Sequence, residues 1–185
     1  MGLSPSAREL PITLELPVSL QREIGKVVTR HAMVELKLSR IVYILLGIDA
    51  VSGRISVREP RTTDRLDMIA DLLKINKIKV QANLPAIRTD LDKCSLERDR
   101  LAHGIWIKDP LYPGKFFLRS LSGNWTPPGT REKSKRRIDP EAQEYNTEHA
   151  KDLVTLIEKT GQAVFDLGDE IDSALAALRN KSPRT

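Results

Sequence analysis

The chain has 185 residues, of which 40% are hydrophobic and 30% charged, and its formal net charge is +5. The longest apolar run, Ile41–Leu46, is far shorter than the roughly 20 residues of a membrane-spanning helix, and Met1–Pro5 lacks the pattern that begins a signal peptide. The single cysteine, Cys94, excludes an internal disulfide and a cysteine-rich zinc site. We therefore expect one cytoplasmic domain over residues 1–185, with no membrane partner.

The first half of the chain predicts two helices separated by a loop. Apolar residues recur at helical spacing from Val18 to Leu46, and Gly47 marks the end of this first helix. A loop containing Gly53 follows, and then Thr63-Asp64 can cap a second helix that ends near Asn76.

The middle of the chain predicts a third helix followed by a β-hairpin. The helix begins near Leu84, because Pro85 is tolerated only in a first turn, and it ends at His103. After Gly104, Ile105–Ile107 and Phe116–Leu118 are short β-prone runs joined by a loop rich in proline and glycine. We expect Gly104 to take a left-handed conformation at the helix end.

The last third of the chain predicts a basic loop and a final helix. Residues 122–138 are predicted to form a loop. A helix is predicted to begin at Asp139-Pro140, and its apolar stripe runs to Leu178. Residues 1–16 and 181–185 are expected to be flexible. The predicted fold is thus mainly all-α, an antiparallel bundle of about four helices with a small β-hairpin after the third helix.

The third helix carries the residues that suggest chemistry. Arg98 falls on its apolar stripe, so the guanidinium needs a partner or an anion, and Glu35 in the first helix is one candidate. The alternatives are that Glu35 is an ordinary exposed charge and that Arg98 reaches out to solvent. His103 is either an ionisable group in the same cleft as Arg98 or a cap favoured by the helix dipole.

The order Arg98-Asp99, then His103, Gly104 and an aromatic residue resembles the signature of HEPN domains, in which an arginine and a histidine are separated by four to six residues. Four residues separate them here, and Asp99 fits the polar position after the arginine. The resemblance implies a metal-independent endoribonuclease without a cofactor, acting as a homodimer and used as a toxin or defence effector, with an antitoxin protein as a partner. It implies Arg98, Asp99 and His103 as the catalytic residues.

The chemistry of these residue types suits RNA cleavage. A neutral His103 imidazole can take the proton of a ribose 2′-hydroxyl, Arg98 can stabilise charge on the phosphorane oxygens, and Asp99 can orient either group. A cyclic phosphate would follow. The sequence is also compatible with two other hypotheses for the function. The chain is either a catalytically inactive HEPN-like dimer that binds RNA or protein, or an unrelated helical interaction domain.

The basic loop is a second candidate site. It is either a solvated loop or an arm that follows RNA phosphates, and Trp125 upstream either packs locally or stacks on an unpaired base. The basic residues are Arg131, Lys133, Lys135, Arg136 and Arg137.

The remaining singular residues suggest packing. Cys94 and Trp106 are expected in the core, and His31 and His149 at a helix surface or interface. The histidines have no neighbour at metal-ligand spacing, so no metal site is predicted.

Overall fold

The computed structural model describes residues 12–13, 15–57, 60–108, 112–119 and 143–181. These residues form five helices and three strands: α1 (Val18–Leu46), α2 (Ala50–Ser56), α3 (Thr62–Ile75), α4 (Leu84–His103), β1 (Ile105–Ile107), β2 (Phe116–Arg119), β3 (Gln143–Tyr145) and α5 (Thr147–Lys181). The mainly helical class predicted from the sequence is confirmed, since helices account for 74% of this part of the chain.

The long helices bury the stripes that their spacing predicts. The helix α1 packs mainly on α5 and then on α3, while α4 packs on α5 and α3. Burial of these apolar side chains is the main stabilising contribution to the fold, at roughly 1.5–3 kcal/mol for each fully buried large side chain. Fully buried members of this core include Leu20, Val27, Leu38, Ile69, Leu91, Ile157, Val164 and Leu167.

The ends of α1 and α4 follow the local sequence. Gly47 ends α1 in a left-handed conformation with φ of 70°, which a residue without a Cβ adopts at no steric cost. The side chain of Asn83 accepts a hydrogen bond from the Ala86 backbone N–H and so caps α4, and Pro85 lies in the first turn as predicted.

Gly104 differs from the prediction. Its φ of −76° and ψ of 158° are extended rather than left-handed, so the expected left-handed cap is wrong. The reason for a glycine is space, because a Cβ here would collide with the Arg100 carbonyl oxygen and the Leu118 side chain. Gly104 lets the chain turn directly from α4 into β1 against β2.

The predicted hairpin is confirmed, and a third strand extends it. Strands β1 and β2 pair antiparallel with Trp106 opposite Leu118, and β3 pairs antiparallel with the other edge of β2. Trp106 is half-buried against the core, and its ring meets that of Tyr145 edge to face at 5.7 Å. The Ile12 backbone forms a β-bridge with Ile107, inside the segment 1–16 expected to be flexible.

Two elements were not predicted. The expected loop after α1 contains α2, which Asp49 caps by accepting hydrogen bonds from the backbone N–H groups of Val51 and Ser52. The last helix begins at Thr147, later than predicted, because β3 takes up residues 143–145. Asp139-Pro140 and the loop predicted over residues 122–138 lie outside the described residues.

Among the helices of the described ranges, none combines the length and the apolar character needed to cross a membrane.

Candidate active site

Arg98 lies in the last two turns of α4, where the buried stripe of that helix continues from Leu91 and Cys94. Because Arg98 continues this stripe, its side chain is largely enclosed, and 26% of it is exposed. Its Nε is buried and has no hydrogen-bond partner among the described residues. The guanidinium therefore depends on its two terminal nitrogens for its contacts.

Two carboxylates hold those nitrogens. Arg98 Nη1 lies 2.9 Å from Asp99 Oδ1, and Arg98 Nη2 donates to Glu35 Oε1 at 3.4 Å. The pairing of Glu35 with Arg98 that the sequence offered as one alternative is therefore present. Charge-assisted contacts on both sides of a planar group fix its direction better than one contact would.

Glu35 gathers side chains from three helices. Its Oε1 accepts a hydrogen bond from Thr62 Oγ1 at 2.7 Å, and Arg65 Nη1 lies 3.7 Å away. His31 Nδ1, one turn earlier on α1, lies 3.8 Å from the same oxygen. The side chain of Glu35 is 28% exposed, so the reading of Glu35 as an ordinary exposed charge is wrong.

His31 lies behind this carboxylate in the core. It is 1% exposed, and its Nε2 is 3.1 Å from Ser95 Oγ on α4. Burial lowers the pKa of His31 below its usual value, Arg98 and Arg65 act in the same direction, and Glu35 and Asp99 oppose them.

Of the two positions predicted for His31, a helix surface or an interface, the surface position is therefore wrong. Its spacing contained the signal, because His31 stands four residues after Val27 and three before Val34, both buried on α1. By contrast His149 is exposed, as predicted, and Cys94 is buried, as predicted, where burial raises the pKa of the thiol.

His103 occupies the last residue of α4 and is exposed. Among the described residues, no hydrogen bond or salt bridge joins it to Arg98 or Asp99. Five residues along a helix correspond to about 7.5 Å of rise and roughly 140° of rotation, so the two side chains leave the same end of α4 in different directions. The imidazole is thus open to solvent and to an incoming ligand.

The other predicted binding residues cannot be placed beside this site. Trp125, Arg131, Lys133, Lys135, Arg136 and Arg137 all lie outside the described residues. Within the described ranges, no group of three or more histidine, cysteine, aspartate or glutamate side chains is arranged to hold a metal ion.

Neither family models, nor curated proteins, nor solved structures give a match to this chain. The functional argument therefore rests on the residues and their geometry.

Proposed function

We propose that the protein is a metal-independent endoribonuclease of HEPN type, which cleaves RNA through Arg98 and His103 at a homodimer cleft. One observation carries the proposal: Arg98 is held between Glu35 and Asp99 at the same helix end that exposes His103. An oriented guanidinium and an accessible imidazole are the groups that metal-independent cleavage of RNA needs, and both stand at this end of α4.

The reaction begins at the ribose. A neutral His103 imidazole takes the proton of the 2′-hydroxyl, and the 2′-oxygen attacks the adjacent phosphorus. The bond from phosphorus to the 5′-oxygen of the next nucleotide breaks, which leaves a 2′,3′-cyclic phosphate and, after protonation, a 5′-hydroxyl. The His103 of a second copy of the chain supplies that proton.

Arg98 stabilises the charge that builds on the phosphorane oxygens. Its planar group presents parallel N–H donors to phosphate oxygens. Asp99, whose Oδ1 lies 2.9 Å from Arg98 Nη1, positions the guanidinium rather than touching the reacting atoms. Glu35 does the same from α1.

Pairing of two copies brings the motifs together. In this proposal α1, α3, α4 and α5 form the antiparallel bundle of each copy. Apolar side chains exposed on α1 and α5 support a contact between copies, since apolar surface of this kind is often covered by a partner. They include Val28, Met33, Leu36 and Phe165, each at least 40% exposed.

The biological setting follows from the resemblance alone. We propose an RNA substrate, a cytoplasmic location, and use as a toxin or defence effector neutralised by an antitoxin protein. The basic residues Arg131, Lys133, Lys135, Arg136 and Arg137, together with Trp125, then bind the RNA strand.

The experiment compares cleavage of single-stranded RNA and transfer RNA in excess EDTA by the wild type, His103→Ala and Arg98→Ala. Loss of a general base or of a charge-stabilising group costs at least about 10²-fold in rate. His149→Ala is the matched control, because His149 is also exposed on a helix and has no proposed role. Equal cleavage by all four folded proteins would refute the proposal.

A second function is favoured by one observation, the pairing of Arg98 with two carboxylates. The two carboxylates compensate the positive charge of the guanidinium. In an inactive dimer that binds RNA or protein, this pairing would fix the end of α4. In that case Arg98→Ala lowers the unfolding midpoint, and neither the wild type nor any variant cleaves RNA.

A further inference from the structure

A cleft of about 390 Å³ lies between α1, α2 and the start of α3. Three arginines line it, Arg40 from α1, Arg54 from α2 and Arg65 from α3, while Glu35 is the one acidic side chain among its described lining residues. The lining therefore carries an excess of positive charge. Clefts lined by one sign of charge concentrate ligands of the opposite sign.

Two of the arginines are available to a ligand. Arg40 and Arg54 are exposed, and neither forms a salt bridge with a carboxylate of the described residues. Arg65 is more enclosed, with 12% of its side chain exposed, and lies 3.7 Å from Glu35 Oε1. All three arginines line the same cleft, and arginine binds phosphate oxygens through parallel hydrogen bonds.

Apart from Ser39, the remaining side chains that line the cleft are apolar or aromatic, and one of them is fixed by packing. Tyr43 contributes a half-buried aromatic ring, and Val57 and Pro60 lie on the same wall. The ring is held against α2 at Gly53, where a Cβ would collide with it. An aromatic ring with apolar neighbours is a surface on which a nucleobase can stack.

The cleft adjoins the candidate active site through Glu35. Arg65 Nη1 of the cleft and Arg98 Nη2 of the active site lie 3.7 Å and 3.4 Å from the same oxygen, Glu35 Oε1. A ligand phosphate bound to Arg65 therefore lies near the guanidinium that is proposed to hold the scissile phosphate.

We propose that this cleft binds a nucleoside phosphate, with the phosphate held by Arg40, Arg54 and Arg65 and the base against Tyr43. A volume of about 390 Å³ falls in the range of small-ligand sites. The bound unit is the nucleotide next to the scissile phosphate of an RNA strand. This last assignment rests on the proposed ribonuclease function, whereas the binding of a nucleoside phosphate does not.

The test measures binding apart from cleavage. The His103→Ala protein is titrated with a short fluorescein-labelled oligoribonucleotide at several salt concentrations, and fluorescence anisotropy gives the Kd. Arg40→Gln with Arg54→Gln is expected to raise Kd by at least about tenfold. The magnitude of the slope of log K against log salt should fall by about 0.7, since the variant loses one phosphate contact and each such contact on a single strand contributes about 0.7.

Arg22→Gln is the matched control, because Arg22 is also exposed on α1 and lies outside the cleft. Its Kd should stay within about twofold of the parent value. An unchanged thermal midpoint in each variant shows that the fold is kept. If the cleft variant and the control bind equally well, the inference is overturned.

Adenosine 5′-monophosphate separates the two sources of the phosphate. It is expected to shift the amide signals of Gly53 and Val57 in NMR spectra, and the oligoribonucleotide should displace it. Binding of the nucleotide without displacement would overturn the assignment to the RNA strand. A protein that binds as expected but cleaves no RNA supports the cleft and refutes the nuclease, so the two failures are distinguishable.

Discussion

Replacing Glu35 by glutamine should loosen the network that orients Arg98. The substitution keeps the size of the side chain and an oxygen that can accept from Thr62 Oγ1, now 2.7 Å away, but it removes the negative charge. The charge faces Arg98 at 3.4 Å and Arg65 at 3.7 Å, and each attraction is about 4–5 kcal/mol before desolvation, at an effective dielectric constant of about 20.

The net effect is smaller, because these charges lost part of their hydration on folding. The side chains of Glu35 and Arg98 are 28% and 26% exposed, so the pair is intermediate between a surface salt bridge and a buried one. Surface pairs contribute about 0.2–1 kcal/mol, and disrupting a buried pair costs about 3–5 kcal/mol. We expect Glu35→Gln to lower the free energy of unfolding by about 2 kcal/mol. For a chain of this size that is a decrease of about 4–8 °C in Tm.

The assay is urea unfolding followed by circular dichroism, with Glu158→Gln as the control. Glu158 also pairs with an arginine, Arg30, but its side chain is 51% exposed, so its substitution should cost less than about 1 kcal/mol. If Glu35→Gln is no more destabilising than Glu158→Gln, the network around Arg98 does not stabilise the fold and the reasoning is refuted.

Two further predictions concern the helix end and the buried histidine. Gly104→Ala should destabilise the protein by more than about 2 kcal/mol, because the new Cβ would overlap Leu118 and a carbonyl of α4. Gly25→Ala, with open space around it in α1, should instead stabilise the protein by about 0.5–1 kcal/mol. Thermal unfolding of both variants checks this, and equal effects would contradict it. The folded pKa of His31 lies below the unfolded value of about 6.5, so the unfolded state binds more protons. The contribution of His31 to the free energy of unfolding should therefore be fully present above about pH 6.5 and fall as the pH drops toward the lowered folded pKa. Unfolding measured from pH 7.5 to 5 should show this loss in the wild type and in His149→Asn but less of it in His31→Asn, and three equal profiles would contradict it.

Local patterns were sufficient for α1 and α4, but not for the start of α5, which lies at Thr147. The spacing of apolar residues predicted α1 and α4, while Gly47 predicted the end of α1 and Pro85 the start of α4. The two β-prone runs after Gly104, Ile105–Ile107 and Phe116–Leu118, predicted the paired strands β1 and β2. In each case the physical cause lies within a few residues of the feature.

The missed features depend on distant partners. The helix α2 packs Gly53 against Tyr43 of α1, and β3 exists through its pairing with β2 across the residues between them. The spacing of His31 from Val27 and Val34 indicated its burial, but the partner of its Nε2, Ser95, is 64 positions away along the chain. Composition and spacing carry no information on such contacts until the helices are packed.

The candidate site was predicted only in part, because some of its contacts also join residues that are distant in the sequence. The motif itself, Arg98, Asp99 and His103, is local and could be read directly. The role of Glu35 was one of two alternatives, and its contacts with Thr62 and Arg98 needed the packing of α1 against α3 and α4.

The most direct test of the proposed nuclease is the chemistry of the RNA ends that the wild type leaves in excess EDTA. We expect 2′,3′-cyclic phosphates with 5′-hydroxyl ends, and their disappearance in folded His103→Ala but not in His149→Ala. Products with 5′-phosphate ends, or the same cyclic ends at the same rate from His103→Ala, would contradict a reaction in which His103 takes the 2′-hydroxyl proton.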